Sequence, residues 1–190
     1  QDTSYFALLG VLASAGLTKN DLDIQAAGPA GVWQQPASGK AHAFAGPVDF
    51  AISARGAGAK VKTLASDQYT KSMTQAIVAS DELIRKRPEL IAKLVRATLL
   101  GLTDVMRDPK GAVADFVVGS PSFKGREAFL EEVFRQYGEY TYPGQKVLGA
   151  MDPERLAAVQ KFYVQQGIVP KESPLNELFT NEFVDPASKK

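Results

Sequence analysis

One histidine, His42, stands in the stretch SGKAHAFAGPVDF, and it is the first residue to weigh for chemistry. A catalytic histidine needs a nucleophile to serve and a carboxylate to orient it. Asp49 is the nearest carboxylate downstream, across the Gly46-Pro47 corner, so no local triad forms. The motifs G-x-S-x-G, H-E-x-x-H and the P-loop do not occur. The acidic pairs Glu131-Glu132, Asp81-Glu82 and Asp21/Asp23 read as solvent-facing, with no apolar pocket signal to raise a pKa. There is no cysteine, which removes disulfides, zinc–thiolate sites and iron–sulfur clusters, and one histidine cannot build a multi-histidine metal site. These residues predict no catalytic role, no cofactor and no metal.

Binding chemistry has more support. Three segments combine a strand end, a helix start and polar or aromatic side chains: Thr3-Ser4-Tyr5, Gly28 to Trp33, and Gly46-Pro47-Val48-Asp49. Helix N-termini carry unpaired N–H groups and a partial positive charge of about half a unit. In an open parallel sheet such segments share the rim where ligands bind. The expected ligand is a small anionic or polar molecule. Trp33 and Tyr69 would add flat apolar walls with a polar tip; packing between lobes is their alternative role.

These positions rest on elements readable from the pattern. A first helix carries Phe6, Leu9 and Leu12, capped by Asp2, Thr3 or Ser4 and closed by Gly16 with Leu17 as its apolar follower. Strands are expected at 22–27, 40–45 and 61–65, with helices at 30–38 and 47–55 between them, and a longer extended run at 72–79. That β-α-β-α-β order is the signature of a parallel sheet with crossover helices. The first helix has no strand before it, so the chain is expected to begin partway through a larger protein. After Ser80 the pattern turns helical. Pro88 opens a long amphipathic helix, Asp108-Pro109 restarts it, and Asp152-Pro153 opens another. Helices are expected at 109–118, 124–139, 152–167 and 174–183. The long helix carries Glu89, Lys93, Arg96 and Asp104, which suits a core helix and not a membrane span. A net charge of +1 offers no field for nucleic acid.

The order of LASAGLTKNDLDI, PASGKAHAFAGPVDFAI, GAGAKVKTL and VASDELIRKRPELIAKLVRATLLGL resembles solute-binding proteins of nitrate/sulfonate/taurine-type ABC importers. These are relatives of the fungal thiamine-pyrimidine synthases. DPKGAVADFV and GAMDPERLAAVQKFYVQQGIV fit the same family's C-terminal helices. The resemblance implies an α/β, type II periplasmic-binding fold with two parallel-sheet lobes and a helical C-terminal part. Residues 1–65 would form most of lobe two, 66–80 the crossing between lobes, and 81–190 the helical part of lobe one, whose N-terminal half is absent. It further implies a periplasmic or otherwise extracytoplasmic monomer that hands a sulfonate, nitrate, carboxylate or pyrimidine to a membrane permease. Carried over residue by residue, Thr3, Ser4, Gly46 and Pro47 would touch the ligand, with Asp67 and Tyr69 near the crossing. One departure is His42, which stands where the family's S-G-x-x-D-A pattern has an acid. The alternatives are a thiamine-pyrimidine synthase-like enzyme and the ligand-sensing domain of a receptor.

Overall fold

The computed structural model describes residues 3–71, 73 and 75–184. Asp2, proposed as a cap, and the polar tail 185–190 lie outside the described residues. The helices follow local rules closely. α1 (Thr3–Ser14) ends where Gly16 turns at φ 71°, and the Gly16 and Leu17 amides donate to Ala13 and Leu12 carbonyls. That paired closure needs the left-handed backbone that glycine adopts without a Cβ penalty.

α2 (Gly28–Ala37) contains Pro36 in its last turn. α3 (Val48–Gly56) starts from an extended Pro47. α4 (Asp81–Lys86) is capped by the Ser80 hydroxyl, which accepts from the Leu83 amide at 3.2 Å. α5 (Pro88–Arg107), α6 (Pro109–Gly119) and α8 (Pro153–Gln165) all place proline in their first turn, where no helical N–H is lost. Asp108 caps α6 through the Gly111 amide, and Asp152 caps α8 through the Glu154 and Arg155 amides. α7 spans Glu127–Tyr140 and the short α9 Leu175–Leu178.

The expected sheet is not there. No strand occurs among the described residues, and the helical segments joined by extended runs replace the predicted α/β lobes. The runs at 22–27, 40–45 and 61–65 lack ladder partners; of 72–79, Ser72 and Thr74 lie outside the described residues. A strand exists only when a neighbour supplies its hydrogen bonds, because an isolated extended run satisfies its backbone with water instead. Leu22, Leu64 and Ile77 are exposed, and Val78 is 89% exposed, as expected of runs with no strand beside them.

What holds the molecule together is helix packing. α5, α6 and α7 pack on one another, α2 packs on α3, and α3 packs on α7. Phe116 of α6 meets Phe123 and Phe134 edge-to-face, at 5.3 and 5.6 Å between ring centroids, locking α6 to α7. The buried face of α5, Ile91, Val95 and Leu99, joins Val184 in a small core that Leu148, Ala150 and Phe183 cover. Ile91, Val95 and Leu99 recur at the four-residue interval of one helix face. α1 packs against the turn at Ser66–Gln68 and reaches α8 through the Phe6 and Tyr163 rings, 5.2 Å apart.

Candidate functional site

The predicted binding residues fall into two groups. Thr3, Ser4 and Tyr5 lie in the first turns of α1, and Asp67 and Tyr69 lie in and just after the turn on which α1 packs. Gly10 of α1 sits against Thr70 so closely that a Cβ would come 2.7 Å from its hydroxyl oxygen. Asp67 pairs with Arg155 of α8, and the Lys71 ammonium lies 3.6 Å from the same carboxylate. Tyr69 is exposed, and Tyr5 meets Phe6 at 5.8 Å. In this group Asp67 is engaged in tying its own turn to α8.

The second group is the α2–α3 pair. Trp33 projects from α2, and Gly46 and Pro47 are exposed and lead into α3. A Cβ on Gly46 would come 2.8 Å from the Phe50 ring, so the corner is tight on its inner side. His42 is exposed in the extended run before it. Among the described residues no cluster of histidine, aspartate or glutamate could hold a metal ion.

Trp33 is the centre of this surface because it lines two grooves. One, about 580 Å³, is bounded by Gln34, Gln35, Ser38 and Lys40. The other, about 640 Å³, runs between α2, α3 and the start of α7, and adds Ile52, Ser53, Arg126, Phe129 and Glu132. Both volumes suit a small organic ligand. Of the residues lining this second groove, the sequence singles out Trp33, reads Glu132 as solvent-facing and gives no signal for Arg126 or Phe129. Arg126, Phe129 and Glu132 recur every third residue along one side of α7, a spacing that marks a shared face but not what faces it.

Charge on this face is well ordered. Glu132 accepts from Arg135 Nε at 2.9 Å, Arg135 Nη2 at 2.7 Å and Gln136 Nε2 at 2.6 Å. The Arg135 bonds, then the Gln136 bond, hold the Glu132 carboxyl down at about 2. Gln136 is buried beneath it. Tyr137 is pushed up by burial first and then by the nearby Asp49 carboxylate of α3.

The Glu132 network has a pH signature. Its folded pKa lies below its ordinary value of 4.5, so the stability it contributes is complete above that value and is lost as pH falls toward about 2. The side chain is 38% exposed, so solvent screening holds the contribution to about 1 kcal/mol or less. Urea unfolding from pH 5 to pH 2 should show a shallower acid loss in Glu132→Gln than in the parent. Equal slopes in the two proteins would remove Glu132 from the acid response.

No helix among the described residues is long and apolar enough to cross a membrane. Compared with known proteins, the chain matches the family described as NMT1/THI5-like over residues 2–112. It is 27% identical to the riboflavin-binding protein RibY of Chloroflexus aurantiacus across 95% of its own length. That alignment covers 53% of RibY, so the chain spans about half the length of this relative. No solved structure matches it. The family match covers more than half of the sequence and agrees with the resemblance carried by the ordered motifs, and on that basis this chain belongs to the NMT1/THI5-like family.

Proposed function

We propose that the chain is the solute-holding part of an extracytoplasmic binding protein serving an ABC-type uptake system, and that it performs no covalent chemistry. The observation that carries this reading is Trp33, set between two ligand-sized grooves in a chain of this family. The relative named for binding riboflavin makes riboflavin the first solute to test, ahead of a pyrimidine, taurine and nitrate. Thr3, Ser4, Tyr5, Gly46, Pro47, Asp67 and Tyr69 remain proposed contacts.

Binding to the folded state alone raises stability by about 2.7 kcal/mol at a hundredfold excess over Kd. For a chain of this size that is a rise of about 5–10 °C in Tm. Thermal unfolding of the 190-residue chain against the four solutes should show such a rise for at least one, with calorimetry giving its Kd. Flat Tm values and no heat with all four would overturn the reading.

A further inference from the structure

We infer that two copies of this chain pair edge to edge, antiparallel, through the extended run at residues 75–79. Such pairing is independent of the solute-binding reading and departs from the monomer that the family resemblance implies.

The run presents an unsatisfied strand edge. No amide or carbonyl of residues 75–79 has a hydrogen-bond partner among the described residues. Ile77 is exposed, and Val78 is the most exposed large apolar side chain described. Ala79 packs against the small core of α5, which fixes the end of the run on the body of the molecule. Backbone groups held out in this way are a template for a strand from another chain.

The other extended runs are guarded against such pairing. The run 22–27 contains Asp23 and leads into Gly28-Pro29. The run 40–45 carries Lys40 and His42 and stops at Gly46-Pro47. Lys62 sits inside 61–65, with Lys60 just before it. Charge and proline keep an edge from meeting a copy of itself. Residues 72–80, SMTQAIVAS, carry no charge, no glycine and no proline. Ile77 and Val78 are β-branched, which suits a pleated pair.

Charge selects a second copy laid antiparallel. Lys71 stands before the uncharged stretch and Asp81 after it. Two antiparallel copies set the Lys71 end of each beside the Asp81 end of the other, whereas a parallel pair would set like against like. Asp81 makes no ion pair among the described residues. Lys71 lies 3.6 Å from Asp67 and its side chain is 61% exposed, so it can reach a second carboxylate. The pair is two-fold symmetric and closes on itself.

Sedimentation equilibrium from about 10 to about 500 µM tests the pairing, because an interface this short is weak and concentration-dependent. The weight-average mass should climb from 20.4 kDa toward twice that value. Ile77→Lys should weaken pairing about tenfold or more, since each copy loses apolar contact and sets a charge against its twin. Its helical circular dichroism should match the parent's. Leu64→Lys, at an exposed position on the run 61–65, should leave pairing unchanged. Lys71→Glu and Asp81→Lys should each weaken pairing about threefold. An equimolar mixture of those two variants should regain the parent's association, because opposite charges then meet at both ends. A mass that stays at one copy across the range would overturn the inference. So would association that Ile77→Lys leaves intact, growth beyond two copies, or a mixture no stronger than its components.

Discussion

Gly149→Ala is expected to destabilise the protein by about 2–5 kcal/mol, from left-handed backbone strain of about 1–2 and overpacking of about 1–3. Gly149 has φ 82°, where an L side chain is strained whatever the space around it. A Cβ there would also strike one methyl group of Leu99 and press on the other at 3.2 Å. Leu99 is 8% exposed and belongs to the buried face of α5, so its side chain has little room to swing away. The two effects act together because the loop must come this close for Leu148 and Ala150 to cover that core. The Gly149 amide donates to Gln145 Oε1 at 2.8 Å, which helps hold the turn in place. Urea denaturation should show a lower midpoint with an unchanged m value. A companion Leu99→Val would relieve part of the clash, so the double variant should lose less than the sum of the two single losses. Strict additivity would mean that Gly149 and Leu99 do not meet. A parent-like midpoint for Gly149→Ala alone would mean that the loop does not pack as described.

Asn181→Ala is expected to cost about 2–6 kcal/mol. Asn181 Oδ1 accepts from the Met151 amide at 2.9 Å, and its Nδ2 donates to the Met151 carbonyl at 2.9 Å. One side chain thereby replaces a missing backbone partner on both sides of a partly buried residue thirty positions away. Removing it strands a donor and an acceptor, each worth about 1–3 kcal/mol when water reaches it poorly. Asn181→Asp separates the two roles. It keeps the acceptor, loses the donor and sets a carboxylate against the Met151 carbonyl, so it should be about as unstable as the alanine variant. Amide exchange at Met151 should speed up in Asn181→Ala and stay slower in Asn181→Asp. Identical exchange in both would show that the Met151 amide is protected by something else.

These two residues illustrate where sequence reading stops. The closure of α1 at Gly16-Leu17 and the caps of α6 and α8 were legible because each is made within a few residues. The same holds for Pro88, which opens α5 at the predicted place. Gly149 and Asn181 act through Leu99 and Met151, partners that no local pattern announces. The extended runs failed for a related reason. Their apolar residues suit a strand, yet pairing is non-local, and a run such as 61–65 stays single when no neighbour is set beside it. The parallel sheet was inferred from a run order whose strands were never going to be decided by their own residues.

The candidate site divides along the same line. Trp33 stands out in the sequence as the single tryptophan, in a segment that opens a helix. Arg126 and Phe129 do not, because they become a wall only when α3 packs on α7 and brings Trp33's helix with it. By itself the sequence determined the closure of α1, the starts of α5, α6 and α8 and the ordered motifs that place the chain in its family, since short-range hydrogen bonds and a four-residue apolar period are written locally; it overran α9, expected at 174–183 and found at Leu175–Leu178. Only the tertiary structure decided that the extended runs stay unpaired and that α7 supplies the second wall of the groove, since both depend on which distant surfaces come within reach.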